Sequence, residues 1–221
     1  MNGAADAVVN TAMTGANGGL VVVAADDSSM HSSQNEQDSR FYGKFALVPT
    51  FEPSTQQEAY DMAKAAFDLS ERFRIPVLMR LTTRMAHSRA VVEVTEPRAE
   101  NELHAPADTR RWVLMPGNSR VRYKGLLDDY ARLEEAAAAS PFNAYAEGPD
   151  KRLGIIACGI AHNYVMENYP DGCPHPVLKL SQYPLPRDLV RRMASECQAL
   201  LVVEEGQPVV EEAVRGVLPG P

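Results

Sequence analysis

Short apolar runs alternate with amphipathic segments along most of this chain. In the first part of the chain, such runs predict β-strands at residues 20–25, 47–51 and 77–81. The run at 20–25 is continuous, as is typical of a strand that is buried on both faces of a parallel sheet. Helices are predicted at 4–13 and after Thr55, where Glu58 completes a capping box three residues later.

The same alternation returns in the last third of the chain. Apolar runs predict strands at residues 155–158, 177–180 and 200–203. Helices are predicted at 161–168, at 186–197 and from Pro208 onward. A regular order of strand and helix implies parallel strands with right-handed crossovers and helices on the sheet faces. The sequence therefore predicts an α/β fold with two three-layer segments, each built around a parallel sheet.

Residues 96–152 lack this order and are expected to form a linker. Prolines and charges are scattered through the segment without a sustained period, except in one predicted helix at 123–139. A connection of this length is unusual inside a compact domain, so it favours a domain boundary. We therefore expect a first domain at 1–95 and a second domain at 153–221.

Composition and charge narrow the class of protein. The 221 residues are 45% hydrophobic, enough for a sizeable core, and the formal charge of −7 argues against a nucleic-acid-binding surface. No apolar run is long enough to predict a membrane span, and no signal peptide is recognisable. Cys158, Cys173 and Cys197 are too far apart to form a metal or iron–sulfur site alone, and they suggest the reduced thiols of a cytoplasmic protein.

The most informative segment follows the first strand. There the apolar run leads into a polar loop, and residues 26–40 carry three aspartates, a glutamate, a histidine and an arginine. Because parallel sheets bind ligands beyond the carboxyl ends of their strands, this loop is a candidate active-site element. A solvated surface loop is the alternative. Asp26 and Asp27 would point to opposite sides of an extended chain, so no metal site is expected here.

Four strings of residues carry a resemblance to a known family. They are GGLVVVAADDSSMHSSQNEQDSRFYGKFA at 18–46, PVLMRLTTRMAHSR at 76–89, GIIACGIAHNYV at 154–165 and LLVVEEGQP at 200–208. In these strings and their order, the chain resembles the α subunit of indolepyruvate ferredoxin oxidoreductase, of the 2-oxoacid:ferredoxin oxidoreductase superfamily. The resemblance implies an internal fragment of that subunit, namely the rear part of a pyrimidine-binding domain followed by a domain like the C-terminal domain of transketolase.

The resemblance also implies an activity and the molecules that it needs. Enzymes of this family oxidatively decarboxylate aryl pyruvates such as indolepyruvate, form acyl-coenzyme A and reduce ferredoxin. The complete enzyme would use thiamine diphosphate with magnesium and 4Fe–4S clusters, none of them wholly bound by this chain. It would assemble with a β subunit into an oligomer, and the isolated chain is expected to be inactive. The alternative is an inactive assembly or interaction module that retains the fold.

The resemblance and the chemistry of a 2-oxoacid single out two candidate catalytic residues. Arg40 closes the SSQNEQDSR string, and its guanidinium suits a substrate carboxylate. The alternative for Arg40 is a salt bridge to Asp38 or Glu36 on the same loop. His31 is a candidate donor to the keto oxygen or a proton shuttle, and its alternative is an ordinary hydrogen-bonding role.

Four further residues are candidates for binding the substrate or the cofactor. Gln34 and Asn35 offer amide groups to substrate or ring atoms, or else they only hold the loop together. Arg84 and His87 follow the strand at 77–81. The resemblance implies that they approach the cofactor cleft or a subunit interface. Their alternative is a hydrogen-bond network at the end of that strand.

Overall fold

The computed structural model describes residues 2–102 and 104–216, which form two four-stranded sheets with helices on their faces. The strands are β1 (Val21–Asp26), β2 (Thr50–Phe51), β3 (Val77–Thr82), β4 (Ala144–Ala146), β5 (Gly154–Cys158), β6 (Val177–Leu180), β7 (Gln182–Tyr183) and β8 (Leu200–Val203). The helices are α1 (Ala5–Thr14), α2 (Arg40–Ala46), α3 (Gln56–Phe73), α4 (Thr83–His87), α5 (Pro116–Ala138), α6 (Ala161–Glu167), α7 (Arg187–Glu196) and α8 (Val209–Arg215). In this part of the chain, no helix combines the length and the apolar character needed to cross a membrane.

The first sheet has the strand order β1-β3-β2-β7. Strands β1 and β2 pair with β3 in parallel, and β7 runs antiparallel to β2. Helix α3 packs on one face through a cluster that includes Met62 and Met79, whereas α1 and α5 pack on the other face through a cluster that includes Ala24 and Leu133. The sheet is therefore the middle of three layers, as predicted.

Helix α3 begins as its capping box predicts. The Thr55 hydroxyl accepts a hydrogen bond from the Glu58 amide at 3.1 Å, while the Glu58 carboxylate accepts from the Ser54 amide at 2.6 Å. Buried residues recur along the helix at three- and four-residue spacing, from Met62 to Ala66 and Ser70. Complete burial of the Met62 side chain contributes roughly 1.5–3 kcal/mol to holding the helix on the sheet.

The second sheet has the order β4-β6-β5-β8, with β5 parallel to both β6 and β8 and with β4 antiparallel to β6. Alternate residues of β5 point to opposite faces, because successive side chains along a strand alternate. Ile156 packs against α7 and α8, whereas Ile155 packs with Val165 of α6. Strands β5, β6 and β8 and helices α6 to α8 confirm the elements predicted for this segment, and the α/β fold class is confirmed.

Several elements differ from the sequence expectations. Helix α2 occupies the end of the polar segment that was expected to be a loop, so the strand predicted at 47–51 shortens to β2. Strand β1 was expected to be buried on both faces, but Val23 is 58% exposed because β1 lies at one end of the strand order. The two-residue strand β7 was not predicted, because it forms only where Thr50 and Phe51 offer a pairing edge.

The division at residues 95 and 153 stays a prediction. Within the segment 96–152, helix α5 begins seven residues earlier than predicted and contributes Leu126 and Leu133 to the core of the first sheet. The same segment supplies β4 to the second sheet. Asn143, between these two elements, accepts from the Ser181 and Gln182 amides at 2.7 and 2.9 Å. The segment is thus a structural part of both sheets.

Candidate functional site

The carboxyl ends of the two sheets face each other. Gly159 follows β5 with φ +49° and lies so close to Glu52, which follows β2, that a Cβ atom would collide with the Glu52 side chain. Gly206 follows β8 with φ +108°, and a Cβ atom there would lie 2.8 Å from the Asp38 carboxylate. Both turns use the left-handed conformation that glycine adopts freely. The carboxyl edge of the first sheet is therefore partly covered by the second sheet.

Arg80 lies at the centre of this junction and is completely buried. It comes from the middle of β3 and donates to the Asp26 carboxylate at 2.7 Å, to the Glu52 carboxylate and to the Ser28 hydroxyl at 3.0 Å. A further hydrogen bond crosses to the second sheet, where Arg80 donates to the Glu205 carbonyl at 2.9 Å. Arg80 was not among the residues that the sequence singled out. A charged residue inside the apolar run VLMRL was the signal, because a buried charge requires partners.

Arg40 is the second cation of the junction and is only 2% exposed. Its Nε atom donates to Asp38 at 2.9 Å, and its Nη1 atom donates to Glu204 at 2.7 Å. The Nη2 atom donates to Asp38 as well and to the carbonyls of Glu205 and Gln207. A contact between Arg40 and a substrate carboxylate stays a prediction, but these surroundings favour the alternative, an ion pair with Asp38. The other partner considered, Glu36, instead accepts from the Ser29 amide.

Four carboxylates share these two arginines, and backbone amides supply further donors to three of them. Asp26 accepts from the Ser39 amide at 2.6 Å, and Asp38 accepts from the Gln207 amide at 3.0 Å. Glu204 accepts from the Val210 and Glu211 amides in the first turn of α8, where the helix dipole favours an anion. The fourth, Glu52, accepts from the Tyr183 hydroxyl at 2.7 Å.

The burial of the network shifts the pKa values of its members. Burial alone would lower the pKa of Arg40, but the charge of Glu52 and the hydrogen bond to Asp38 outweigh it and raise that pKa. Burial would raise the pKa of Asp38, yet the hydrogen bond to Arg40 and the charges of both arginines hold it below its usual value. Burial and the charge of Glu52 raise the pKa of the Tyr183 phenol well above its usual value. The network is therefore a charged, hydrogen-bonded connection between the sheets.

Asp27 organises the polar loop that follows β1. Its carboxylate accepts from the backbone amides of His31, Ser32 and Ser33 at 3.1, 2.7 and 2.7 Å. The Thr83 hydroxyl donates to it at 2.7 Å, which joins the loop to the first residue of α4. The hydrogen bond from Thr83 and those from the loop amides lower the pKa of Asp27. The sequence excluded Asp27 from a metal site but did not reveal this structural role.

The other predicted site residues lie at the surface of the same edge. His31, Gln34 and Asn35 are exposed on the loop that Asp27 holds. Arg84 and His87 are exposed on α4, and the guanidinium of Arg84 stacks over the Tyr164 ring at 5.0 Å. The Asp27–Thr83 hydrogen bond brings the loop and α4 together, whereas Arg40 points into the buried network.

A cavity of about 540 Å³ opens beside the loop and is lined by polar groups that include Asn35, Glu36 and Gln207. Among the described residues, no lysine or arginine side chain lines this cavity, so its known lining does not suit a diphosphate. Within residues 2–102 and 104–216, no group of three His, Cys, Asp or Glu side chains is placed to hold a metal ion. The described residues therefore do not by themselves fit a magnesium–diphosphate group or an iron–sulfur cluster.

Comparison with known proteins places the chain among curated relatives, although no protein-family model matches it. It is 43% identical over 225 residues to "Indolepyruvate oxidoreductase subunit IorA" of Archaeoglobus fulgidus, a match that covers 98% of this chain and 35% of the relative. It is 42% identical over 221 residues to the subunit of the same name from Methanothermobacter thermautotrophicus, covering 98% of this chain and 36% of the relative. The chain thus spans about a third of the length of these relatives.

One solved structure shares the fold over nearly the whole chain. It is the 2-oxoglutarate:ferredoxin oxidoreductase from Magnetococcus marinus, with 2-oxoglutarate, coenzyme A and succinyl-CoA bound. The superposition covers 98% of this chain and 47% of that chain with a TM-score of 0.66 and 12% sequence identity. At this identity the likeness shows the fold alone, and it agrees with the two-sheet α/β architecture.

Proposed function

The chain belongs to the family of indolepyruvate oxidoreductase subunits IorA, and from that membership we propose that it forms part of a 2-oxoacid oxidoreductase. The proposed enzyme decarboxylates aryl pyruvates such as indolepyruvate oxidatively, with thiamine diphosphate, to acyl-coenzyme A and transfers the electrons to ferredoxin. The observation that carries this proposal is 43% identity to a curated subunit over 98% of this chain.

We propose that this chain supplies one wall of the active site while other parts of the enzyme hold the cofactors. The described residues contribute no cationic side chain to the polar cavity beside the loop and contain no cluster of metal ligands. Thiamine diphosphate with magnesium, and the 4Fe–4S clusters, are therefore assigned to the rest of the complete enzyme. A β subunit is the proposed partner in an oligomeric assembly, with ferredoxin and coenzyme A as further partners.

The exposed loop residues are proposed to face the substrate or cofactor. A 2-oxoacid needs hydrogen-bond donors for its keto oxygen and its carboxylate, which the imidazole of His31 and the amides of Gln34 and Asn35 supply. Asp27 fixes the backbone that carries these side chains, because it accepts three loop amides. Arg40 is proposed as a positioning residue, since its donors hold the end of the loop against the second sheet.

The proposal is tested on the assembled enzyme. The chain would carry an affinity tag in its source cells, and the captured assembly would be assayed for methyl viologen reduction that depends on both indolepyruvate and coenzyme A. We expect activity in the assembly and none in the purified chain, because we assign the cofactor sites to other parts of the enzyme. His31→Ala should lower kcat/KM by at least about tenfold through the loss of one catalytic hydrogen bond.

His104→Ala is the matched control for the His31 substitution. His104 is also exposed, and among the described residues its side chain makes one recorded contact, a long ion pair of 3.6 Å with Glu102, so its loss should leave kcat/KM unchanged. A captured assembly without thiamine diphosphate or turnover would contradict the enzyme proposal and would favour an assembly module instead.

A further inference from the structure

A cationic cavity of about 440 Å³ lies at the end of the first sheet that is opposite the polar loop, near the residues that precede β1 and β3. It is formed between the C-terminal ends of α1 and α3 and the middle of α5. Of the described residues that line it, five are arginines and one, Asp129, is acidic. The arginines are Arg72, Arg74, Arg111, Arg122 and Arg132. This local excess of positive charge stands out in a chain whose formal net charge is −7.

Carboxylates neutralise only part of this charge. Arg132 pairs with Asp129 at 2.7 Å, and Arg122 lies 3.8 Å from Asp108 at the rim. Among residues 2–102 and 104–216, no carboxylate lies within ion-pair distance of Arg72, Arg74 or Arg111. Surface arginines in an acidic protein normally find counter-charges nearby, so three guanidiniums without a carboxylate partner among the described residues favour the binding of an external anion in this concavity.

The backbone holds Arg111 in this position. Its Nε atom donates to the Thr14 carbonyl at 2.7 Å, and its Nη2 atom donates to the Arg74 carbonyl at 3.2 Å. The guanidinium lies against Gly15, which has φ +83° and where a Cβ atom would collide with it. Burial lowers the pKa of Arg111, and the nearby charges of Arg122 and Arg74 lower it further.

An aromatic ring orients two further arginines. The guanidiniums of Arg72 and Arg132 lie 5.2 and 5.4 Å from the centroid of the Phe73 ring. Stacking of this kind restricts a guanidinium to a defined plane. The Phe73 ring therefore gathers two of the guanidiniums on one side of the concavity.

We propose that this cavity binds the phosphate or pyrophosphate group of a small molecule. A planar guanidinium makes paired hydrogen bonds to phosphate oxygens, and several guanidiniums around one cavity neutralise a multiply charged anion. The cavity volume falls in the range typical of small-molecule sites, and its concave shape favours a small anion over the acidic surface of a protein. The cavity lies at the opposite end of the first sheet from the polar loop, so anion binding there does not depend on the proposed function.

Calorimetric titration of the 221-residue chain with inorganic pyrophosphate and with ADP, at about 100 mM salt, tests the proposal. We expect saturable binding of one anion per chain. Arg122→Gln and Arg72→Gln should each weaken binding by about tenfold, because each removes one charge-assisted contact. Arg120→Gln is the control, since Arg120 is exposed on α5 beside Arg122 but does not line the cavity.

The outcomes separate the site from a general charge effect. Tighter binding of ADP than of pyrophosphate would identify a nucleotide-like ligand, and equal binding would identify a phosphate site; both support the proposal. It is overturned if neither probe binds saturably, or if Arg120→Gln weakens binding as much as Arg122→Gln. Binding of polyglutamate without binding of either phosphate probe would also overturn it and would point to an acidic protein partner. Circular dichroism of each variant excludes unfolding as the cause of a loss.

Discussion

Arg80 offers the sharpest test of how the two sheets are joined. The substitution Arg80→Met keeps most of the apolar length of the side chain but removes a completely buried guanidinium. Asp26 and Glu52 then lose their main counter-charge, and the Glu205 carbonyl loses its donor from the first sheet. Removing one partner of a buried ion pair costs about 3–5 kcal/mol, because the remaining charge is left without compensation.

A loss of stability in that range gives a measurable shift in Tm. For a chain of this size, a loss of 1 kcal/mol lowers Tm by roughly 2–4 °C, so Arg80→Met should lower Tm by roughly 6–20 °C. Urea unfolding followed by circular dichroism would measure the free energy of unfolding directly. The Ser39 amide and the Tyr183 hydroxyl still donate to Asp26 and Glu52, so the lower half of the range is the expected result.

Two further variants make the test specific. Arg84→Met removes an exposed arginine near the same strand end and should cost about 0.5–1 kcal/mol, the value of its contact with the Tyr164 ring. Arg80→Met combined with Glu52→Gln should lose less stability than the sum of the single variants, since the second change removes one uncompensated charge. The reasoning is refuted if Arg80→Met loses less than about 1 kcal/mol or no more than Arg84→Met.

Three other predictions follow from single contacts. Gly206→Ala should destabilise the fold by about 1–2 kcal/mol more than Gly172→Ala in urea unfolding. Both glycines have positive φ, but of the two only Gly206 is crowded, and equal losses of stability would contradict the prediction. Asp27→Asn should speed hydrogen exchange of the 31–33 amides, with Asp171→Asn as an exposed control, and unchanged exchange would exclude Asp27 as their anchor. Because its pKa is lowered, Asp27 should stabilise the fold above about pH 4, and this stabilisation should be lost as the pH falls toward that pKa. Acid unfolding of Asp27→Asn, compared with that of the unsubstituted chain, measures the effect.

The hydrophobic pattern predicted most of the secondary structure because it depends on local burial. Strands β5, β6 and β8 and helix α3 formed where the apolar periods placed them. Helix α2 was missed because its sequence, RFYGKFA, contains a glycine and two exposed phenylalanines, and its helical form depends on packing against α1. The pattern likewise gave no sign of β7, which pairs with a strand more than a hundred residues away in the chain.

The candidate site was likewise only partly predictable from the local sequence. The polar loop and its exposed residues His31, Gln34 and Asn35 could be recognised from the chain alone, since the segment directly follows a predicted strand. The surroundings of Arg40 could not, because Glu204 and Gln207 lie more than 160 residues away from it in the chain. The local sequence around an arginine is the same whether its side chain is free to bind a substrate or is held in a buried ion pair.

The sequence by itself determined the α/β class, the order of the main strands and the position of the polar loop, because short-range periodicity and residue type encode these features. Only the tertiary structure decided that the carboxyl ends of the two sheets meet, that Arg80 and Arg40 share four carboxylates, and that arginines from α3, α5 and the preceding turn surround one cavity. The physical reason is that the energy of a charge depends on all the groups around it, and folding brings those groups together from distant parts of the chain.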